Sequence, residues 1–192
     1  MKINIPIGLT FLRILMIPIF VMVYLLPWHL SALVGTLIFS AAAITDWLDG
    51  YLARRLNQES SFGAFLDPVA DKLMVATALV LIVMHHASPD FAIASAVIIG
   101  REISITALRE WMARIGETAK VKVSVVGKVK TTAQIASIIL LLLSGPIPFI
   151  GWNSTPIGAW LLYLAAILTI WSGISYLRSA WPAIVRDSYK NT

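Results

Sequence analysis

"TDWLDGYLARRLNQESSFGAFLDPVADK", from Thr45 to Lys72, sets four aspartates between two strongly apolar runs. Asp46 and Asp49 lie three residues apart, and Asp67 and Asp71 lie four apart. On helices, each pair shares one face. Two antiparallel helices joined by the polar stretch 54–62 would then aim four carboxylates into one space. An Asp near the middle of a membrane span costs roughly 2.5–3.5 kcal/mol on insertion scales, and less near an end. Like charges about 5 Å apart add about 3 kcal/mol of repulsion at an effective dielectric near 20. A compensating positive charge is therefore expected at this place.

The surrounding chain is strongly apolar. Of its 192 residues, 58% are hydrophobic and 13% charged, against the roughly 25% charged residues of soluble proteins. Mean hydropathy is +0.83. This composition predicts an all-α integral membrane protein. Residues 1–192 are expected to form a single membrane domain, since no linker, low-complexity tract or internal repeat divides them. There are no cysteines, which excludes disulfides, iron–sulfur clusters, thiolate zinc sites and cysteine nucleophiles. The opening "MKINIPIGLTFLR" has a basic residue before an apolar run, but Arg13 interrupts the run and no small-residue cleavage site follows. It reads as a retained, short N-terminal interfacial segment.

Apolar runs of about 20 residues fall near 8–26, 31–53, 64–86, 91–113, 130–147 and 156–178, predicting six transmembrane helices. Helices are required because hydrocarbon cannot satisfy exposed backbone groups. Basic residues sort to one side: Lys2, Arg54, Arg55, Arg114, Lys120, Lys122, Lys128, Arg178, Arg186 and Lys190, whereas the connections 27–30, 86–90 and 146–156 have none. Both termini are thus expected in the cytoplasm. The net charge of +5 reads as a collar facing anionic membrane lipids, so nucleic acid is not an expected partner. Trp28, Trp152 and Trp181 fall near predicted boundaries, where indole suits the interface.

An all-carboxylate cluster suits hard cations such as magnesium, manganese or calcium. A di-iron bundle would carry Glu-x-x-His pairs, and none is present. His85 and His86 fall at the opposite end of the third predicted span and read as loop residues. Gly50 and Gly63 would admit a ligand or a second backbone close to the aspartates. Arg54 adds a cation suited to phosphate. "LDG" alone is equally a helix end.

In full, the stretch reads Asp46-x2-Asp49-Gly50-x2-Ala53-Arg54-x8-Gly63-x3-Asp67-x3-Asp71, eight fixed positions that resemble the signature of the CDP-alcohol phosphatidyltransferases without departure. The resemblance implies that family's six-helix fold with a site open to the cytoplasm. It also implies a reaction in which an alcohol attacks the phosphorus bearing the diacylglycerol arm of a CDP-linked lipid and CMP leaves. Carried over, Asp46, Asp49, Asp67 and Asp71 look like ligands of divalent Mg2+ or Mn2+, with two ions expected, and Asp71 also looks like the general base. Gly50, Ala53, Arg54, Gly63 and Thr10 fall on the CDP-diacylglycerol side. The family's amino-terminal Asn-Pro-x-x-x-Thr-x-x-Arg element stands here as "NIPIGLTFLR", with Ile5 inserted, which leaves Thr10 and Arg13 as nucleotide-side contacts.

The acceptor is narrowed by further cations. Arg101 and Arg109 are eight apart in "REISITALREWMARIG", on one helix face, and an intramembrane arginine is a functional-site hypothesis by default. Lys128 and Lys130 follow in "VGKVKTTAQ". Two readings stay open: positive-inside anchoring with Arg101 paired to Glu102 or an aspartate, or recognition of an acceptor carrying its own phosphate. Together with "GAFLDPVADK", these segments resemble the bacterial phosphatidylglycerophosphate synthase branch of the family over most of residues 1–140. That resemblance implies sn-glycerol 3-phosphate as acceptor, a homodimer, and the bacterial cytoplasmic (inner) membrane. Serine and inositol phosphate are the alternative acceptors. A divalent-cation transporter predicts polar groups throughout the bundle, whereas these crowd one half of it. An aspartate-dependent prenyltransferase predicts two separated acidic motifs, and here there is one.

Overall fold

The structure, a computed structural model, describes residues 5–56, 61–116, 125–146 and 151–190. Side chains are described throughout these except at 5–7, 47, 49–56, 61, 64, 125–126, 128 and 188–190. Six helices account for most of the described chain: α1 (Ile5–Leu25), α2 (Ser31–Leu56), α3 (Ser61–His86), α4 (Pro89–Arg114), α5 (Val125–Leu143) and α6 (Ser154–Lys190). Among the described residues three are long and apolar enough to cross a membrane, within Gly8–Leu25, Pro89–Arg114 and Ser154–Asp187. The apolar stretches of α2 and α5 are shorter, Ser31–Asp46 and Val129–Leu143. α3 carries Asp67, Asp71 and Lys72 in its first half.

Local chemistry sets the boundaries. Ala87, at φ 48°, ends α3 in the left-handed region, and Ser88 in extended conformation leads into Pro89 at the start of α4. Proline is tolerated there because the first helical N–H groups have no intrahelical partner. Asp90 in the first turn and Arg114 in the last complement the helix dipole, and Gly116, at φ 73°, closes α4 in the conformation glycine adopts most readily. At the end of α5, Gly145 and Ser154 exchange hydrogen bonds, Ser154 N–H to the Gly145 carbonyl (2.9 Å) and Gly145 N–H to Ser154 Oγ (3.1 Å).

Two helices extend beyond the apolar runs that predict them. The N-terminal interfacial segment is, from Ile5 onward, continuous with α1, because Pro6 falls in the first turn where its missing N–H costs nothing. The last helix does not end at 178 but continues to Lys190. Ala180 and Ala183 of this extension, with Tyr176 just before it, bury against Ile105 and Met112 of α4, forming a second small core. At 1.5 Å per residue, 37 residues reach about 55 Å, well beyond a hydrocarbon layer of about 30 Å.

The main core gathers Phe20, Phe39, Leu79, Ile82, Ile98, Ile138, Leu141 and Leu162, all fully buried. These residues lie toward the end where α1, α3 and α5 finish and α2, α4 and α6 begin. The outward surface is apolar as well, with Leu15, Met22, Leu37, Val80, Ile93 and Ile167 exposed. Such a surface suits lipid rather than water. With one end of the bundle closed by apolar packing, the polar side chains collect at the other.

Candidate active site

α1 brings two side chains to that polar end. Thr10 and Arg13 are three apart on one helix face, and both are completely buried. The Thr10 hydroxyl donates to Asp67 of α3, and Arg13 Nη1 donates to Asp46 Oδ1 of α2 at 2.6 Å. α1 packs against both α2 and α3 more extensively than these pack against each other. Among the described residues the acidic helices are therefore joined more through the first helix than directly. Arg13 is the compensating charge that the aspartates required, and it comes from 33 residues away in the chain.

Asp71, one turn beyond Asp67, feels the charges of Asp46, Arg13, Glu102 and Lys72. It lines a cavity of ≈ 210 Å³ between α3, α4 and α5, together with Lys72, Glu102, Lys130, Thr131 and Gln134. Ile98, Ile99 and Ile135 supply apolar wall. Carboxylates, a cation and neutral hydrogen-bonding groups thus share a space large enough for a small polar molecule.

The expected cations separate. Lys130, nearly buried, lines the cavity and forms an ion pair with Glu102. Arg101 also reaches Glu102, at 3.2 Å, but its other Nη donates to Ser172 Oγ of α6 at 3.0 Å. Arg109 sits over the Tyr176 ring, 5.1 Å from its centroid. The pairing of Arg101 with Glu102 is thus present, and Glu102 simultaneously ties Arg101 to Lys130. Lys128 lies outside the described side chains, as do Asp49, Gly50, Ala53 and Arg54. Gly63 is buried in the first turn of α3. At the opposite end, His85 meets the Tyr24 ring edge-on and His86 approaches the Leu141 carbonyl at 3.3 Å, both serving packing.

The donor set suits a hard divalent ion, being carboxylate oxygen without sulfur or imidazole. Among the described residues no three acidic or imidazole side chains converge into a ready-made cage. Asp46 and Asp67 are each held by an α1 side chain, while Asp71 opens to the cavity. From the sequence, Glu102 stands out only as a partner for Arg101 and not for Lys130. The available signal was an ionisable residue within an apolar span.

Residues 3–171 match the CDP-alcohol phosphatidyltransferase family, and the chain belongs to that family. A protein of Pseudomonas fluorescens named CDP-diacylglycerol–glycerol-3-phosphate 3-phosphatidyltransferase is 49% identical over 188 residues, covering 97% of this chain and 95% of the relative. Proteins of the same name from Haemophilus influenzae and Sodalis glossinidius are 54% and 51% identical, covering 94% of this chain and 95% and 96% of their own.

Proposed function

We propose that this chain transfers the phosphatidyl group of CDP-diacylglycerol to sn-glycerol 3-phosphate, giving phosphatidylglycerophosphate and CMP. The carrying observation is the cavity in which Asp71, Glu102 and Lys130 meet, within a chain whose relatives bearing that name match it almost end to end. An acceptor hydroxyl forms a bond to the phosphorus carrying the diacylglycerol arm, the pyrophosphate P–O bond breaks, and CMP departs. Asp71 takes the hydroxyl proton, a role that typically contributes 10²–10⁴ in rate. Lys130 faces the acceptor's own phosphate as a point charge. Thr10 and Arg13 fix the carboxylates of Asp67 and Asp46 so that these hold their positions without closing on one another.

Asp46, Asp49, Asp67 and Asp71 would hold one or two Mg2+ or Mn2+ ions, which when bound neutralise pyrophosphate oxygens during departure of the nucleotide. Arg54 and the small residues Gly50, Ala53 and Gly63 border the CDP side. The distribution of apolar sequence supports six spans, and that of basic residues supports cytoplasmic termini with a cytoplasm-facing site in a bacterial inner membrane. A homodimer completes the reading.

The test is an acceptor screen. Purified protein with CDP-diacylglycerol and magnesium should release CMP only when glycerol 3-phosphate is added. Release with serine or inositol phosphate, and none with glycerol 3-phosphate, would assign the chain a different acceptor.

A further inference from the structure

We propose that Glu102 is a positioning residue for the acceptor phosphate, holding Lys130 at the cavity wall through a relay that begins on α6. The inference rests on the proposed acceptor and extends it to side chains outside the cavity. Lys130 is 5% exposed, and a lysine buried to that degree needs a counter-charge. Glu102 Oε1 supplies it and receives Arg101 Nη1 on the same oxygen. One carboxylate oxygen thus lets two cations, Arg101 and Lys130, lie close together. Without it, the Lys130 ammonium would swing away from its neighbours or out of the wall.

Behind Glu102, Arg101 is fixed in turn. Its second Nη donates to Ser172 Oγ, whose own hydroxyl donates to the Thr169 carbonyl at 3.1 Å. The Arg101 side chain also lies against Gly173, where an added Cβ would fall 3.2 Å from Arg101 Cγ. Neither Arg101, Ser172 nor Gly173 borders the cavity. The chain of contacts Ser172, Arg101, Glu102, Lys130 therefore crosses from α6 through α4 to α5. It gives a helix remote from the acidic site a hold on the group that reads the acceptor.

This arrangement predicts a selective effect. Glu102 pairs with Lys130 and Arg101, so its loss should weaken the acceptor and spare CDP-diacylglycerol. Steady-state CMP release, with each substrate varied in turn, should show Glu102→Ala raising KM for glycerol 3-phosphate by about tenfold or more, as truncating one partner of a buried charge pair does. KM for CDP-diacylglycerol should stay within about twofold, Glu102→Asp should recover part of the loss, and Ser172→Ala should produce a smaller rise of the same kind. Thermal stabilisation of the substrate-free protein by inorganic phosphate gives a readout independent of turnover. It should be present in the native chain and lost in Glu102→Ala. If Glu102→Ala does not fold, Glu102→Gln, which keeps an accepting oxygen, should still weaken both readouts. Equal rises in both KM values, a fall in acceptor KM, or unchanged phosphate protection in a folded variant would overturn the proposal. Failure of the native chain to use glycerol 3-phosphate, with phosphate protection still dependent on Glu102, would instead overturn the acceptor assignment alone.

Discussion

Arg13 Nη1 of α1 lies 2.6 Å from Asp46 Oδ1 of α2, with the arginine side chain 1% exposed and the aspartate 42% exposed. A guanidinium so completely withdrawn from solvent is held by charge, and Asp71 lies within electrostatic reach of the same group. Arg13 therefore serves two purposes: it fastens α1 to α2 and lowers the repulsion among carboxylates that share one end of the bundle. Arg13→Met, which keeps the stem and removes the charge, should destabilise the detergent-solubilised protein by about 1–3 kcal/mol. Solvent reaching Asp46 keeps the effect from being larger. In a double-mutant cycle with Asp46→Asn, thermal unfolding should show the two changes to be less than additive. Simple additivity would mean that the pair does not couple the helices.

Asp71 is distinguished from Asp46 and Asp67 by facing the cavity rather than an α1 side chain. Asp71→Asn should lower CMP release by about 10²–10⁴ while leaving KM for CDP-diacylglycerol nearly unchanged. Chelation of divalent ions should abolish turnover in the native chain, and magnesium or manganese should restore it. Sodium at equal ionic strength should not, since the carboxylate set favours small, highly charged ions. Full activity after exhaustive chelation would remove the metal from the reading.

Gly158 of α6 faces α5 closely. An added Cβ would meet Leu141 Cγ at 2.8 Å and Leu140 Cβ at 3.1 Å, and the Gly158 carbonyl accepts the Ser137 hydroxyl at 2.8 Å. Leu141 is fully buried and has nowhere to move. Small residues at such a crossing let backbones approach, which is a principal source of helix affinity within a membrane. Gly158→Ala should cost about 1–3 kcal/mol through overpacking. Gly100→Ala, in α4, meets nothing within 4 Å and should be neutral or stabilising by up to about 1 kcal/mol. Thermal unfolding of the two variants side by side provides the comparison.

Helical periodicity made the paired aspartates legible, because residues three and four apart share a face whatever the rest of the chain does. Arg13 was legible as an interruption of an apolar run, but its partner was not. Its contact with Asp46 spans 33 residues and depends on α1 lying between two acidic helices. The same limit hid the link of Glu102 to Lys130, which spans 28 residues and requires α4 to meet α5 at this level, whereas its pairing with the adjacent Arg101 was legible. Hydropathy ended the last span at 178 because Arg178, Pro182, Arg186 and Asp187 dilute the apolar signal. The helix continues because packing on α4, absent from any local window, outweighs that dilution.

That extension makes a separate prediction. Tyr176, Ala180 and Ala183 of α6 cover Ile105 and Met112 of α4, and Arg109 rests over the Tyr176 ring. Removing residues 179–192 would strip Ala180 and Ala183 from this contact while leaving Ser172 and Tyr176 in place. The final turns of α4 should then open locally, since among the described residues their buried apolar contacts are with α6. Hydrogen exchange should rise over residues 105–116, and trypsin should cut faster after Arg109 and Arg114, with the protected core around Leu79 and Ile138 unchanged. Protection unchanged over 105–116 in the shortened chain would show that α4 holds its last turns unaided and that the α6 extension serves another purpose.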